Sequence, residues 1–166
     1  MIAVPTVTLR PYAPADAGTL VPFVQSFFRT HHSDLTEGEA LSSLGAWSAP
    51  DHRLYVIEAE QAPAGFLHLQ QRGPTVCWVE DIFVAEALRG QGIASAALSQ
   101  AEDLVRDAGL EALCMDVVPD NLPALRLYHR LGYDRLSLVT VRKDFVPFDT
   151  ARTEQIAGLP FRVKQF

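Results

Sequence analysis

The most constraining stretch of this sequence is Arg89-Gly90-Gln91-Gly92-Ile93-Ala94, which lies between a strand-like apolar run and a helix-like apolar stripe. Gly90 and Gly92 let the backbone curl so that successive N–H groups point inward, forming a nest for an anion. The helix that follows contributes unpaired N–H groups and the positive end of its dipole. Arg89 adds a full charge beside them, and a pyrophosphate suits such a seat. Three other readings compete. One is a tight turn with no ligand. A dinucleotide fingerprint would need a third glycine where Ser95 stands, and a P-loop would need a Gly-Lys-Ser/Thr run that is missing here.

The elements around this turn set the fold class. Val7–Tyr12 reads as a first strand. A helix starting at Pro14 and Asp16 buries Leu20, Phe23, Val24, Phe27 and Phe28 at three- and four-residue spacing. Arg29–Asp34 is a polar loop. Thr36 and Glu39 form a capping box for a second helix ending near Trp47. Leu54–Glu60, Phe66–Gln71 and Thr75–Val84 follow as three strands with short turns, an antiparallel meander. A helix from Gly92 to Gly109 leads to a strand over Ala112–Val118, and this strand–helix–strand unit makes the two strands parallel. Asn121 opens a helix that carries Ala124, Leu127, Tyr128 and Leu131 on one side and stops at Gly132. Arg135–Phe145 reads as the last strand. The expected fold is α/β, a mixed and mostly antiparallel sheet with helices on its faces. Residues 1–148 read as one domain. Residues 149–166, with Leu159, Phe161, Val163 and Phe166, read as a further strand or packing arm.

Composition excludes several classes. At 166 residues, with 48% hydrophobic and 20% charged residues, the chain can bury a core without disulfides. Cys77 and Cys114 stand far apart and read as buried thiols of a reducing compartment. Neither has a context that would activate it as a nucleophile. The net charge of −6 and the lack of any Lys/Arg cluster argue against nucleic acid. The acidic balance fits a cationic substrate and plain solubility equally well. No apolar run approaches the length of a membrane span, and Met1–Arg10 does not read as a signal peptide, so a cytoplasmic location is expected. His31-His32 lacks a third ligand at metal spacing, so no metal is expected. His68 and His129 read as structural or surface groups.

The glycine-rich turn resembles the acetyl-CoA motif of the GNAT family of N-acetyltransferases, Arg/Gln-x-x-Gly-x-Gly/Ala, here Arg89-x-x-Gly92-x-Ala94. Trp78–Val84 resembles the family's central strand, and Asn121-x-x-Ala124-x-x-x-Tyr128-x-x-Leu131-Gly132-Tyr133 its second signature. The resemblance is strong over 76–134, and elsewhere only the element order matches. From Glu80 to Gly92 it looks most like spermidine/spermine-type small-amine acetyltransferases.

That resemblance implies an enzyme moving acetyl from acetyl-CoA to a primary amine in a ternary complex. It implies a central strand splayed from its parallel neighbour, with backbone of Ile82, Phe83 and Val84 pairing with pantetheine. The residues Arg89, Gly90, Gln91, Gly92, Ile93 and Ala94 would hold the pyrophosphate, and Asn121 would cap its helix and reach the pantetheine region. Tyr128 would protonate the departing thiolate, against a plain core role. Glu80 would take the amine proton through water. Asp81 is the alternative base or a seat for the substrate's positive charge. Strand alternation sets Glu80 and Asp81 on opposite faces, and either could instead pair with an arginine. A peptide N-terminal acetyltransferase and a non-catalytic acyl-CoA-binding module stay open. Dimerisation is common in the family, and the apolar tail is a candidate contributor to a homodimer.

Overall fold

In the computed structural model the structure describes residues 5–147 and 149–164. Met1–Val4 of the N-terminal stretch and Phe166 of the apolar tail lie outside the described residues. The chain divides into two compact units, 1–116 and 117–166.

The first unit is a five-stranded sheet in the order β1-β2-β3-β4-β5. Its strands are β1 (Val7–Pro11), β2 (His52–Ala59), β3 (Ala62–Gln71), β4 (Val76–Val84) and β5 (Ala112–Met115). All neighbours are antiparallel except β4 and β5, which run parallel. This is the mixed sheet expected, and β5 is shorter than the 112–118 read from sequence. The helices are α1 (Ala17–Thr30), α2 (Glu37–Ala46) and α3 (Ile93–Asp107), with 3-10 turns at Pro14–Asp16 and Glu86–Leu88.

Leu20, Val21 and Val24 of α1 and Ala40 and Leu44 of α2 pack on Leu54, Val56, Phe66 and Phe83 of the sheet. In β2 Leu54, Tyr55, Val56 and Ile57 are all buried, because the strand lies inside the sheet with both faces covered. On the opposite face α3 buries Ile93, Ala97, Leu98, Ala101 and Val105, packing on β1, β4 and β5. The Thr36–Glu39 capping box forms: Glu39 N–H donates to Thr36 Oγ1 at 3.3 Å, and Thr36 N–H donates to Glu39 Oε2 at 2.8 Å. At the sheet edge, the Gln100 side chain of α3 accepts from Leu9 N–H at 2.9 Å and donates to the Val7 carbonyl at 2.8 Å.

β3 and β4 lie unusually close at one point. A Cβ built on Gly65 would stand 1.9 Å from the Phe83 carbonyl oxygen, so only glycine fits opposite that turn of β4.

The second unit holds α4 (Leu122–Arg130) and an antiparallel hairpin of β6 (Thr150–Ile156) and β7 (Leu159–Lys164). The hairpin turns at Ala157 and Gly158, both at positive φ. Arg152 donates to the Pro119 carbonyl at 2.6 Å and sits 3.6 Å from Asp120, tying the hairpin to the start of α4. The strand expected over 135–145 is not formed. Leu136, Leu138 and Val141 are 84%, 78% and 66% exposed, and no neighbour pairs with their backbone among the described residues. Strand propensity alone cannot satisfy a ladder of N–H and C=O groups.

Gly65→Ala is expected to destabilise the first unit by about 1–3 kcal/mol through overpacking. In urea unfolding this appears as a lower midpoint at unchanged slope.

Candidate active site

The site begins with a one-residue irregularity. His68 pairs with Asp81 and Leu69 with Val79, so Glu80 is an extra residue in β4, a β-bulge. The bulge overturns the expectation that Glu80 and Asp81 face apart. Trp78 stands opposite Gln70 and Asp81 opposite His68, and Gln70 and His68 share one face of β3. Glu80, two residues from Trp78, joins that face. Both carboxylates therefore lie on the α1/α2 side of the sheet.

The two carboxylates are held differently. Glu80 is gripped in a fork by Arg72, with Nε at 2.7 Å and Nη2 at 2.5 Å. The same guanidinium lies 5.0 Å from the Trp78 ring centre and reaches Asp116 at 3.2 Å. Bonding to Glu80, then to Asp116, raises the Arg72 pKa further above its ordinary value against a smaller burial effect. Asp81 accepts instead from His68, Nδ1 to Oδ2, at 2.8 Å. His68 Nε2 meets His52 Nδ1 at 2.7 Å, and His52 Nε2 meets the Gln70 amide at 3.3 Å. His68 is only 2% exposed, which of the structural and surface readings leaves the structural one, and Trp47 stacks on it at 5.2 Å.

Past the bulge, β4 loses its parallel partner. The β4–β5 ladder ends at Val79 opposite Met115, while β4 continues through Ile82, Phe83 and Val84. On the other side these three residues pair with Leu67, Phe66 and Gly65. Phe83 is fixed among Phe23, Phe27 and Phe66, with ring centres 6.0, 6.4 and 5.9 Å away. Backbone on the open side of β4 is thus held in place with no strand to bond among the described residues.

The strand delivers the chain to the glycine turn. Gly90 and Gly92 have φ of 76° and 82°, the left-handed region expected for the nest. Gly92 is the N-cap of α3, so the first-turn N–H groups of Ile93, Ala94 and Ser95 point out of the helix. Gln91 and Ala94 are half-buried and Ile93 buried. Arg89 folds back on the strand end: its Nε donates to the Val84 carbonyl at 3.1 Å, and its guanidinium lies 5.5 Å from the Phe83 ring centre. Charge, glycines and helix start therefore meet at one end of β4.

In the second unit Asn121 caps α4, its Oδ1 accepting from Ala124 N–H at 3.2 Å. Tyr128 is half-buried, and burial pushes its phenol above the ordinary value. The end of α4 explains part of the second signature structurally. Gly132 has φ of 94°, its N–H donates to His129, and Tyr133 N–H donates to the Tyr128 carbonyl, a Schellman stop with the two tyrosine rings in contact.

Four contributors were not found by reading the sequence: Arg72, Trp47, the His52–His68 pair and Gly65. His68 carried a signal. It alternates with Phe66 and Gln70 in a strand otherwise apolar enough to be buried, and a buried imidazole needs partners. Cys77 and Cys114 are free thiols whose pKa burial raises. Among the described residues no group of three His, Cys, Asp or Glu side chains could hold a metal, and no helix is long and apolar enough to cross a membrane.

Residues 20–133 match the profile of the Acetyltransferase (GNAT) family. The chain belongs to that family. It is 28% identical over 138 residues to the mycothiol acetyltransferase of Pseudarthrobacter chlorophenolicus, covering 78% of this chain and 43% of that protein. It is 38% identical over 55 residues to the streptothricin acetyltransferase of Streptomyces lavendulae, covering 33% of this chain and 29% of that protein. The chain thus spans less than half the length of these curated relatives. Its fold is that of an aminoglycoside N-acetyltransferase crystallised with CoA, with TM-score 0.69 at 14% identity over 88% of this chain and 99% of that one.

Arg72→Gln is expected to cost under about 1 kcal/mol in urea unfolding, because the Arg72 side chain is 41% exposed and the Glu80 pair is solvent-screened. A larger loss would show that the fork holds the bulge itself.

Proposed function

We propose that this chain transfers acetyl from acetyl-CoA to a primary amine of a small molecule, by direct attack in a ternary complex. The observation that carries this reading is the open side of β4 from Glu80 to Val84, running straight into the glycine turn at the start of α3. An extended pantetheine arm needs free strand backbone, and a pyrophosphate needs clustered N–H groups with a cation. In this reading Ile82, Phe83 and Val84 pair with pantetheine. The segment Arg89–Ala94 seats the pyrophosphate. Asn121 uses its amide nitrogen toward the pantetheine region, since its oxygen caps α4.

The chemistry follows from the side chains. A substrate ammonium loses one proton through water to Glu80. The amine nitrogen bonds to the thioester carbonyl carbon, and a backbone N–H near Phe83 stabilises the oxyanion. The carbon–sulfur bond breaks as Tyr128 gives its proton to sulfur, and the phenolate recovers a proton from the nitrogen. A phenol pushed up by burial stays protonated at neutral pH, as an acid must. Activity that depends on this proton therefore persists at neutral pH and falls only as pH rises beyond the phenol's raised value. Asp81 binds the positive charge of the acceptor. Relatives named for mycothiol, streptothricin and aminoglycoside acetylation support a small-molecule acceptor over a peptide. The Glu80–Gly92 stretch adds polyamines to the amines worth testing.

Calorimetry with CoA tests the seat. Gly92→Glu, which places an anion in a left-handed position at the helix start, is expected to weaken CoA binding at least about tenfold. Binding equal to the parent would overturn the assignment. Tyr128→Phe is expected to keep CoA affinity while turnover on a panel of amines falls about tenfold or more. Tight CoA binding with no turnover of any amine by the parent would instead mark an acyl-CoA-binding module.

A further inference from the structure

His68 is buried, polar and unused by the reaction just described. Burying an imidazole in an apolar layer is costly unless both nitrogens are bonded. Here both are, and the chain of bonds has one direction. The Gln70 amide nitrogen can only donate, so His52 Nε2 accepts. His52 Nδ1 then carries the hydrogen and donates to His68 Nε2. His68 Nδ1–H in turn donates to Asp81 Oδ2. Two rings joined in one direction end on one carboxylate oxygen. Trp47, at the C-cap of α2, stacks on the His68 ring with planes 25° apart and stops it from turning.

Burial is graded along this chain. The His68 side chain is 3% exposed and the Asp81 side chain 19%. The brace lies behind, and the charged end stays reachable. The bulge places that end beside Glu80, where β4 leaves β5.

We infer that His68 is a positioning residue for acceptor binding: backed by His52, Gln70 and Trp47, it fixes the Asp81 carboxylate so that one oxygen receives the ammonium of a cationic primary amine. This deepens the acetyl-transfer reading and rests on it. His68 itself touches neither substrate nor coenzyme.

The test uses the full chain, acetyl-CoA, and neamine and spermidine as probe amines, with CoA release as readout. His68→Leu is expected to raise the KM for the probe amine by about 10- to 100-fold, the scale of a lost charge-assisted hydrogen bond, with the KM for acetyl-CoA changing less than about twofold. His68→Asn, whose amide N–H stands near the place of Nδ1, is expected to recover most of that loss. Asp81→Asn is expected to give a similar rise, and the double variant no more than Asp81→Asn alone, because the two act as one unit. A rise in both KM values alike, an unchanged amine KM, no rescue by Asn, or multiplying effects in the double variant would overturn the inference. If His68→Leu does not fold, His52→Leu takes its place, with a smaller rise in amine KM expected and an unchanged value overturning the idea. A parent that binds CoA but acetylates neither probe also overturns it and leaves the coenzyme site standing. A parent that binds no CoA removes the acetyl-transfer reading, and this inference with it.

Discussion

A single extra residue, Glu80, sets the layout of the candidate site. Antiparallel pairing of β3 and β4 fixes each side chain to a face, and one additional residue reverses the parity of everything before it. In a regular strand of the same residues, with no bulge, Trp78 would share a face with neither Asp81 nor Phe83. With it, Trp78, Glu80, Asp81 and Phe83 line one side, under α1 and α2. The bulge also falls where the parallel ladder to β5 ends, so the same local change gathers the acids and frees the strand edge. Gly65 completes the arrangement by letting β3 pass against the Phe83 carbonyl.

The two gathered carboxylates are anchored by opposite physical strategies. Glu80 meets a guanidinium that is partly in water, where forked geometry gives direction but little net energy. Asp81 meets an imidazole in the interior, where any unpaired group would be expensive, so every nitrogen of the pair His52 and His68 has a partner. The first arrangement exchanges readily with water, and the second is stiff.

Much of this was legible from residue order. The meander, the parallel crossover, the capping box at Thr36 and Glu39, and the left-handed glycines at 90 and 92 follow from period, turn chemistry and capping rules that act locally. The relation of Glu80 to Asp81 was not legible. A bulge depends on the partner strand's register, and strict alternation gives the wrong face. The Asp81–His68–His52 chain joins side chains of three successive strands and depends on their register, and only the isolated polar character of His68 among Phe66, Leu67 and Leu69 hinted at it. Arg135–Phe145 failed for the reverse reason: its residues favour a strand, but no neighbour completes one among the described residues.

The amide of Gln100 has a consequence beyond holding α3 in place. By occupying the Leu9 N–H and the Val7 carbonyl, it spends the bonds through which β1 would recruit another polypeptide. One side chain thus stands in for an absent sixth strand. The outer rim of the sheet is closed to runaway self-association, and Pro11, which ends β1, adds a position with no N–H to offer.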